Sequence, residues 1–281
     1  WELTENGEVA LSGTIDALDV APQERKAVQL GYTVEDVKPL KGEVLLTLRY
    51  RLKRAEQMLK TGYEVAFNQI TLSKWDAAAA YAAATAAAEG LPLEVEGRTV
   101  RGSDFAIEFD GMGYMVSYLL RGNEMLAEPL RPSFFRAMTE NDWAVRGGKT
   151  TRMHFHSWKM WRDPVVQLDS FRLVREGEEV VVNTKYRYSD LGTYVYLTFR
   201  IDRRGNVAVS ERMEPRKESF ECLGMLRYGV SLAMPDSFDR VEFYGAGPHE
   251  SYDDRQTGAP VGVYAQRVAD QYCMTHVRPQ E

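Results

Sequence analysis

The chain has four histidines, and two of them, His154 and His156, flank Phe155. On a strand, residues i and i+2 share a side, so this pair has the spacing of two metal ligands. A metal needs a third and usually a fourth ligand, and His249 and His276 are too remote for spacing to recruit them. The expectation is therefore no metal site. Carboxylates offer a second chemistry: glycoside hydrolysis takes a pair about 5–10 Å apart, one with a raised pKa. Glu140, Asp142, Glu250, Asp253 and Asp254 sit beside aromatic or turn-forming residues. Their spacing selects no pair, and roles in turns and strand ends are the default. Nucleophile elbows and phosphate loops are missing from the sequence. Gly245-Ala246-Gly247 precedes Pro248, which would end a phosphate-cradling helix before it began, so these glycines read as a tight turn after a strand.

Two segments combine aromatics with a polar, turn-forming centre: Phe134 to Trp143 and Tyr244 to Arg255. Each reads as a loop held by aromatics and internal hydrogen bonds. Such loops carry function on rigid sheet scaffolds, or they are simply demanding turns. Chemistry alone leaves these alternatives even.

The elements that must position them are strands. Short runs expected in the sheet are 9–13 after the Asn6-Gly7 turn, 42–50 and 65–72, then 105–109 and 114–120 around Asp110-Gly111, a hairpin signature. Further runs are 165–175, 179–188, 193–202, 207–213, 225–232 and 240–244, with Arg203-Arg204-Gly205-Asn206 as a connecting turn. Residues 76–89 are nearly all alanine. Alanine is the best helix former, but the tract lacks a stripe of larger apolar residues, so 76–90 reads as a linker with helical tendency. The fold class is all-β, in two domains: a β-sandwich of immunoglobulin size over 1–75 and a large antiparallel sandwich over 91–281.

Composition narrows the function classes. The chain has 281 residues, a net charge of −6 and 44% apolar residues, enough for real cores. An acidic chain with scattered basic residues lacks the footprint that nucleic acid needs, so no nucleic-acid partner is expected. Nor does any apolar stretch approach a membrane span. Cys222 and Cys273 form no C-x-x-C motif. They read as free buried thiols, with one disulfide as the alternative in an oxidising compartment.

The two aromatic segments lie within stretches that resemble the C-terminal region of family-2 β-galactosidases. Glu128 to Asp142 (EPLRPSFFRAMTEND) is similar to that family's R-P-x-F-W-R-A-P-T-D-N-D block. Val241 to Arg255 (VEFYGAGPHESYDDR) is similar to V-E-W-Y-G-x-G-P-x-E-N-Y-x-D-R, and Tyr272 to Glu281 to Y-x-x-P-Q-E-N-G. Leu18 to Gln23 and Gly62 to Ala66 resemble the preceding immunoglobulin-like domain. Met138 stands in place of the family's proline, Glu140 of its aspartate, Ser251 of its asparagine and Ala144 of its hinge glycine.

The resemblance implies an immunoglobulin-like sandwich followed by a β-supersandwich akin to galactose mutarotase folds, truncated at its C-terminus. It implies that the catalytic carboxylates belong to an upstream (β/α)₈ barrel, so that this chain holds none and is expected to be a cut piece, inactive alone. Arg136, Glu140, Asn141, Asp142, Trp143 and Arg146 would form a loop bordering the sugar pocket. Gly245, Gly247, Pro248, Glu250, Tyr252, Asp254 and Arg255 would form a structural motif. No cofactor is expected in this chain; the family commonly uses Mg and Na ions at the barrel. Expected partners are the barrel and a galactoside, with a homo-oligomer in the full enzyme. The compartment, cytoplasm or periplasm, stays open. The alternative is a stand-alone carbohydrate-binding or scaffold module with Trp143, Trp158 or Trp161 as its platform. A third reading, an aldose mutarotase, needs a convergent His and Glu, such as His156 or His249 with Glu250.

Overall fold

A computed structural model describes residues 1–15, 18–86, 91–136, 159–215, 225–249 and 255–271. The described residues are predominantly β, in antiparallel sheets. They cluster into two compact units that interleave in sequence: Trp1–Ala80 with Arg240–Gln266, and Tyr81–Asp239 with Arg267–Glu281.

The first unit is built on strands β1 (Glu2–Glu5), β2 (Glu8–Ser12), β3 (Val44–Arg51) and β4 (Glu64–Ser73), in the order β2-β1-β3-β4. The β1–β2 turn uses Asn6 and Gly7, both at positive φ, as a two-residue hairpin requires. Val44 to Thr47 are all buried, so the first half of β3 is covered on both faces. On one, Leu3, Val44 and Leu46 pack with Trp1, Tyr32, Val37 and Leu40. The last two of these come from the short helix α1 (Val34–Val37) and the residues after it.

The alanine tract folds as helix α2 (Ala77–Ala86). Its start is capped by Asp76, whose carboxylate accepts the Ala79 N–H at 2.9 Å. One larger side chain gives it an anchor: the Tyr81 hydroxyl donates to Glu179 at 2.9 Å. Burial and this carboxylate together push the phenol up to about 12.

The second unit contains two sheets. One comprises β5 (Glu94–Glu96), β6 (Thr99–Arg101), β7 (Phe105–Phe109), β8 (Met115–Leu120), β9 (Asn123–Glu124) and β10 (Glu128–Ser133). The other is a meander of β11 (Val166–Glu176), β12 (Glu179–Tyr188), β13 (Thr193–Ile201) and β14 (Val207–Pro215). Strand β15 (Gly229–Ala233) returns to pair with β10. Along β13 every second residue from Thr193 to Ile201 is buried, the period of a half-buried strand. Phe109 and Phe199, from the two sheets, meet edge to face at 5.1 Å. The expected turn after β13 is fixed by Asp202, buried at 2% exposure. Its carboxylate accepts the backbone N–H groups of Arg204 and Asn206, both at 2.9 Å.

The hairpin of β16 (Arg240–Ala246) and β17 (Val261–Arg267) follows. All of it but Arg267 clusters with the first unit. The sequence-based division at 1–75 and 91–281 is sequential, whereas this hairpin crosses back to pack with the N-terminal strands.

Candidate functional site

The first loop motif grows out of β10, which carries Pro129 and Pro132. Proline cannot donate to a ladder, and the pairing of β10 with β8 is reduced to Leu130 with Met115. Beyond the strand, Phe134 turns into the core at 2% exposure. Its ring meets Trp161 at 5.8 Å, Tyr188 at 5.6 Å and Tyr228 at 5.9 Å. The Arg227 N–H donates to the Phe134 carbonyl at 3.3 Å. The root of this loop is thus set by an aromatic cluster, and Arg136 is half-buried at its end. Glu140, Asn141, Asp142, Trp143 and Arg146 lie outside the described residues, as do His154, His156 and Trp158. Trp161 is 2% exposed. A sugar platform needs an open ring face, so this tryptophan is a core residue and not a platform.

An open cleft of about 470 Å³ borders this root, with Tyr114, Arg131, Phe135, Arg162, Asp163 and Tyr188 among its walls. The Asp163 carboxylate is tied to Arg162 at 2.8 Å, and the Arg162 guanidinium lies 6.0 Å from the Phe135 ring centre. Burial raises the phenols of Tyr114 and Tyr188 above the ordinary range, so both remain neutral. The cleft can bind polar groups by hydrogen bonds. Among the described wall residues the one carboxylate is Asp163, and it is paired with Arg162.

The second motif forms the end of the β16–β17 hairpin. Gly247 is buried and its N–H donates to the Pro260 carbonyl at 3.2 Å. A Cβ there would come within 2.9 Å of the Tyr264 ring, which explains glycine at this position. Pro248 follows through a cis peptide bond, and Gly245 lies within β16. Arg255 accepts, through its carbonyl, the Gly258 N–H at 3.0 Å. His249 is exposed. Glu250, Tyr252, Asp253 and Asp254 lie outside the described residues, as do Cys222, Cys273 and His276.

Residues that the sequence reading overlooked clamp this hairpin. The Gln69 carboxamide accepts the Val261 N–H at 2.8 Å and donates to the Val261 carbonyl at 2.9 Å. It also donates to the Thr47 hydroxyl at 3.0 Å. The Tyr244 hydroxyl donates to Glu43 at 2.7 Å, and burial raises that phenol well above its usual range. Nothing in the spacing of Gln69 or Glu43 marks them, because their partners are about 200 residues away. The two motifs therefore belong to different units, the first to the second unit and the hairpin to the first. Among the described residues there is no group of three His, Cys, Asp or Glu that could hold a metal.

Comparison with known proteins divides the chain sequentially, in two stretches. Residues 101–281 match the family described as "Beta galactosidase small chain", and residues 1–73 match "Beta-galactosidase, domain 4". A "Beta-galactosidase" of Priestia megaterium is 28% identical over 286 residues, covering 100% of this chain and 26% of the relative. "Beta-galactosidase 2" of Enterobacter cloacae is 27% identical, covering 97% and 26%. A "Beta-galactosidase" of Lactobacillus delbrueckii subsp. bulgaricus is 30% identical over 185 residues, 65% of this chain and 17% of the relative. The chain spans about a quarter of the length of the first two of these curated relatives. With the small-chain match running over most of its length, the chain belongs to the β-galactosidase small-chain family and corresponds to a C-terminal region of a β-galactosidase.

Proposed function

We propose that this chain is the non-catalytic part of a longer β-galactosidase, bordering the sugar pocket and supporting assembly. The longer enzyme hydrolyses terminal β-galactosides with retention of configuration. In that mechanism two carboxylates of an upstream barrel serve as nucleophile and acid/base. The observation that carries the reading is the small-chain match over 101–281 in a chain that spans 26% of its full-length relatives.

On this reading Arg136, Glu140, Asn141, Asp142, Trp143 and Arg146 organise a loop beside the sugar. The aromatic root at Phe134 gives that loop a rigid base. Orientation alone is worth much in catalysis: a misplacement of about 1 Å costs on the order of 100-fold in rate. Asn141→Ala in the longer enzyme is therefore expected to lower kcat/KM for a galactoside by roughly 10- to 100-fold with thermal stability unchanged. Steady-state kinetics beside a melting curve checks this, and wild-type kinetics in the variant would remove the role.

A further inference from the structure

Glu211 lies on β14 between Val209 and Met213 and pairs with Leu197 of β13. The two-residue period of the strand puts it on the same face as Val207 and Met213, which pack against the core, and Val209, which is partly exposed. Its neighbours Arg212 and Glu214 take the other face, where both engage Tyr196: the Arg212 guanidinium lies 4.0 Å from the ring centre, and Glu214 accepts the hydroxyl at 2.7 Å. Both carboxylate oxygens of Glu211 are buried and neither has a hydrogen-bond partner. An ionised carboxylate in that state is costly, and taking up a proton is the way out. Burial alone pushes this carboxyl up to about 7.

Its surroundings connect it to the loop root. Among the described residues, the ionisable groups that sense its charge are Tyr188 on β12 and Tyr228 ahead of β15. Tyr114 and Asp190 act on Tyr188 in turn. Across β13 the facing residue, Leu197, is apolar and 0% exposed. Tyr188 and Tyr228 are both ring partners of Phe134, and β14 is an edge strand of its sheet.

We propose that Glu211 is a proton-sensitive latch, whose neutral form lets β14 and the Tyr228–Phe134 stack close on the core and whose ionisation loosens them. The sign follows from the folded state holding the proton more tightly than the unfolded chain. The stabilisation is complete below the ordinary carboxyl value of 4.5, falls as pH rises through about 7, and is absent above it. The latch sets order at the loop root, whatever the loop binds.

The test is urea unfolding of the full chain from about pH 5 to about pH 8, with Glu211→Gln alongside, together with amide-exchange protection at Arg227. The wild-type unfolding constant is expected to rise at least about tenfold across that range. Protection at Arg227 should fall with it, and Glu211→Gln should flatten both changes and be the more stable protein at the alkaline end. Equal slopes in the two proteins would overturn the proposal. If the variant does not fold, carbon-13 titration of the Glu211 carboxyl in the wild-type chain decides. A midpoint near 7 supports the latch, and one near 4.5 overturns it.

Discussion

Phe134→Ala is expected to cost the second unit about 3–5 kcal/mol of folding stability, the range for deleting a buried phenylalanine ring. The side chain is 2% exposed, and three aromatic rings approach it within 6 Å: Trp161, Tyr188 and Tyr228. Aromatic pairs contribute about 0.5–1.5 kcal/mol beyond the area they bury, so the loss should fall toward the upper part of the range. Two of the three partners are themselves fixed: Trp161 and Tyr188 are each 2% exposed and cannot easily collapse into the space. Phe135→Ala is the internal control, because that ring meets only the Arg162 guanidinium among its described ring contacts, at 6.0 Å. Urea midpoints of the two variants check the contrast. Equal, small losses would show that Phe134 does not anchor the loop.

Gln69→Leu is expected to release the hairpin from the first unit. The carboxamide satisfies both backbone groups of Val261, as a neighbouring strand would. Leucine fills similar space but leaves an N–H and a carbonyl without partners, at roughly 1–3 kcal/mol for each group left unsatisfied. Partial access of water to the site lowers that figure, so a total of about 2–4 kcal/mol is expected. Gln69→Glu keeps an acceptor for the Val261 N–H and should lose less. Amide exchange at Val261 and Gly247 reports the change directly. Undiminished protection in the leucine variant would mean that the hairpin is held by its apolar contacts alone.

Much of the fold was legible in the sequence because strand period and turn chemistry agree. Val166–Glu176, Glu179–Tyr188, Thr193–Ile201 and Val207–Pro215 all lie close to the runs read from alternation. The turns at Asn6-Gly7 and at Arg203 to Asn206 are where their residues imply. Strand Glu128–Ser133 was missed because Pro129 and Pro132 argue against a sheet, and only the sparse pairing with Met115 shows how they are tolerated. The strands Glu2–Glu5 and Val261–Arg267 were also missed, being short or interrupted by Gly262.

The site was legible unevenly. Resemblance picked out the two loop segments, and packing explains Phe134 and Gly247 within them. The clamp at Gln69 was invisible, since its partner Val261 is brought close only by the chain's return to the first unit. Trp161 suggested a platform by its type alone, whereas its burial depends on Phe134 and on tertiary packing. Glu211 left a faint signal: in Val207, Val209, Glu211, Met213 it is the one charged member of an apolar alternation.

On the proposed reading this chain contributes to β-galactoside hydrolysis without supplying the catalytic carboxylates. The most direct measurement is turnover of a chromogenic β-galactoside by the chain alone and after addition of the barrel-containing upstream part of a longer β-galactosidase. No hydrolysis by the chain alone and activity upon mixing are the expected results. Hydrolysis by the isolated chain would contradict that reading and would move the chemistry to carboxylates within these two units.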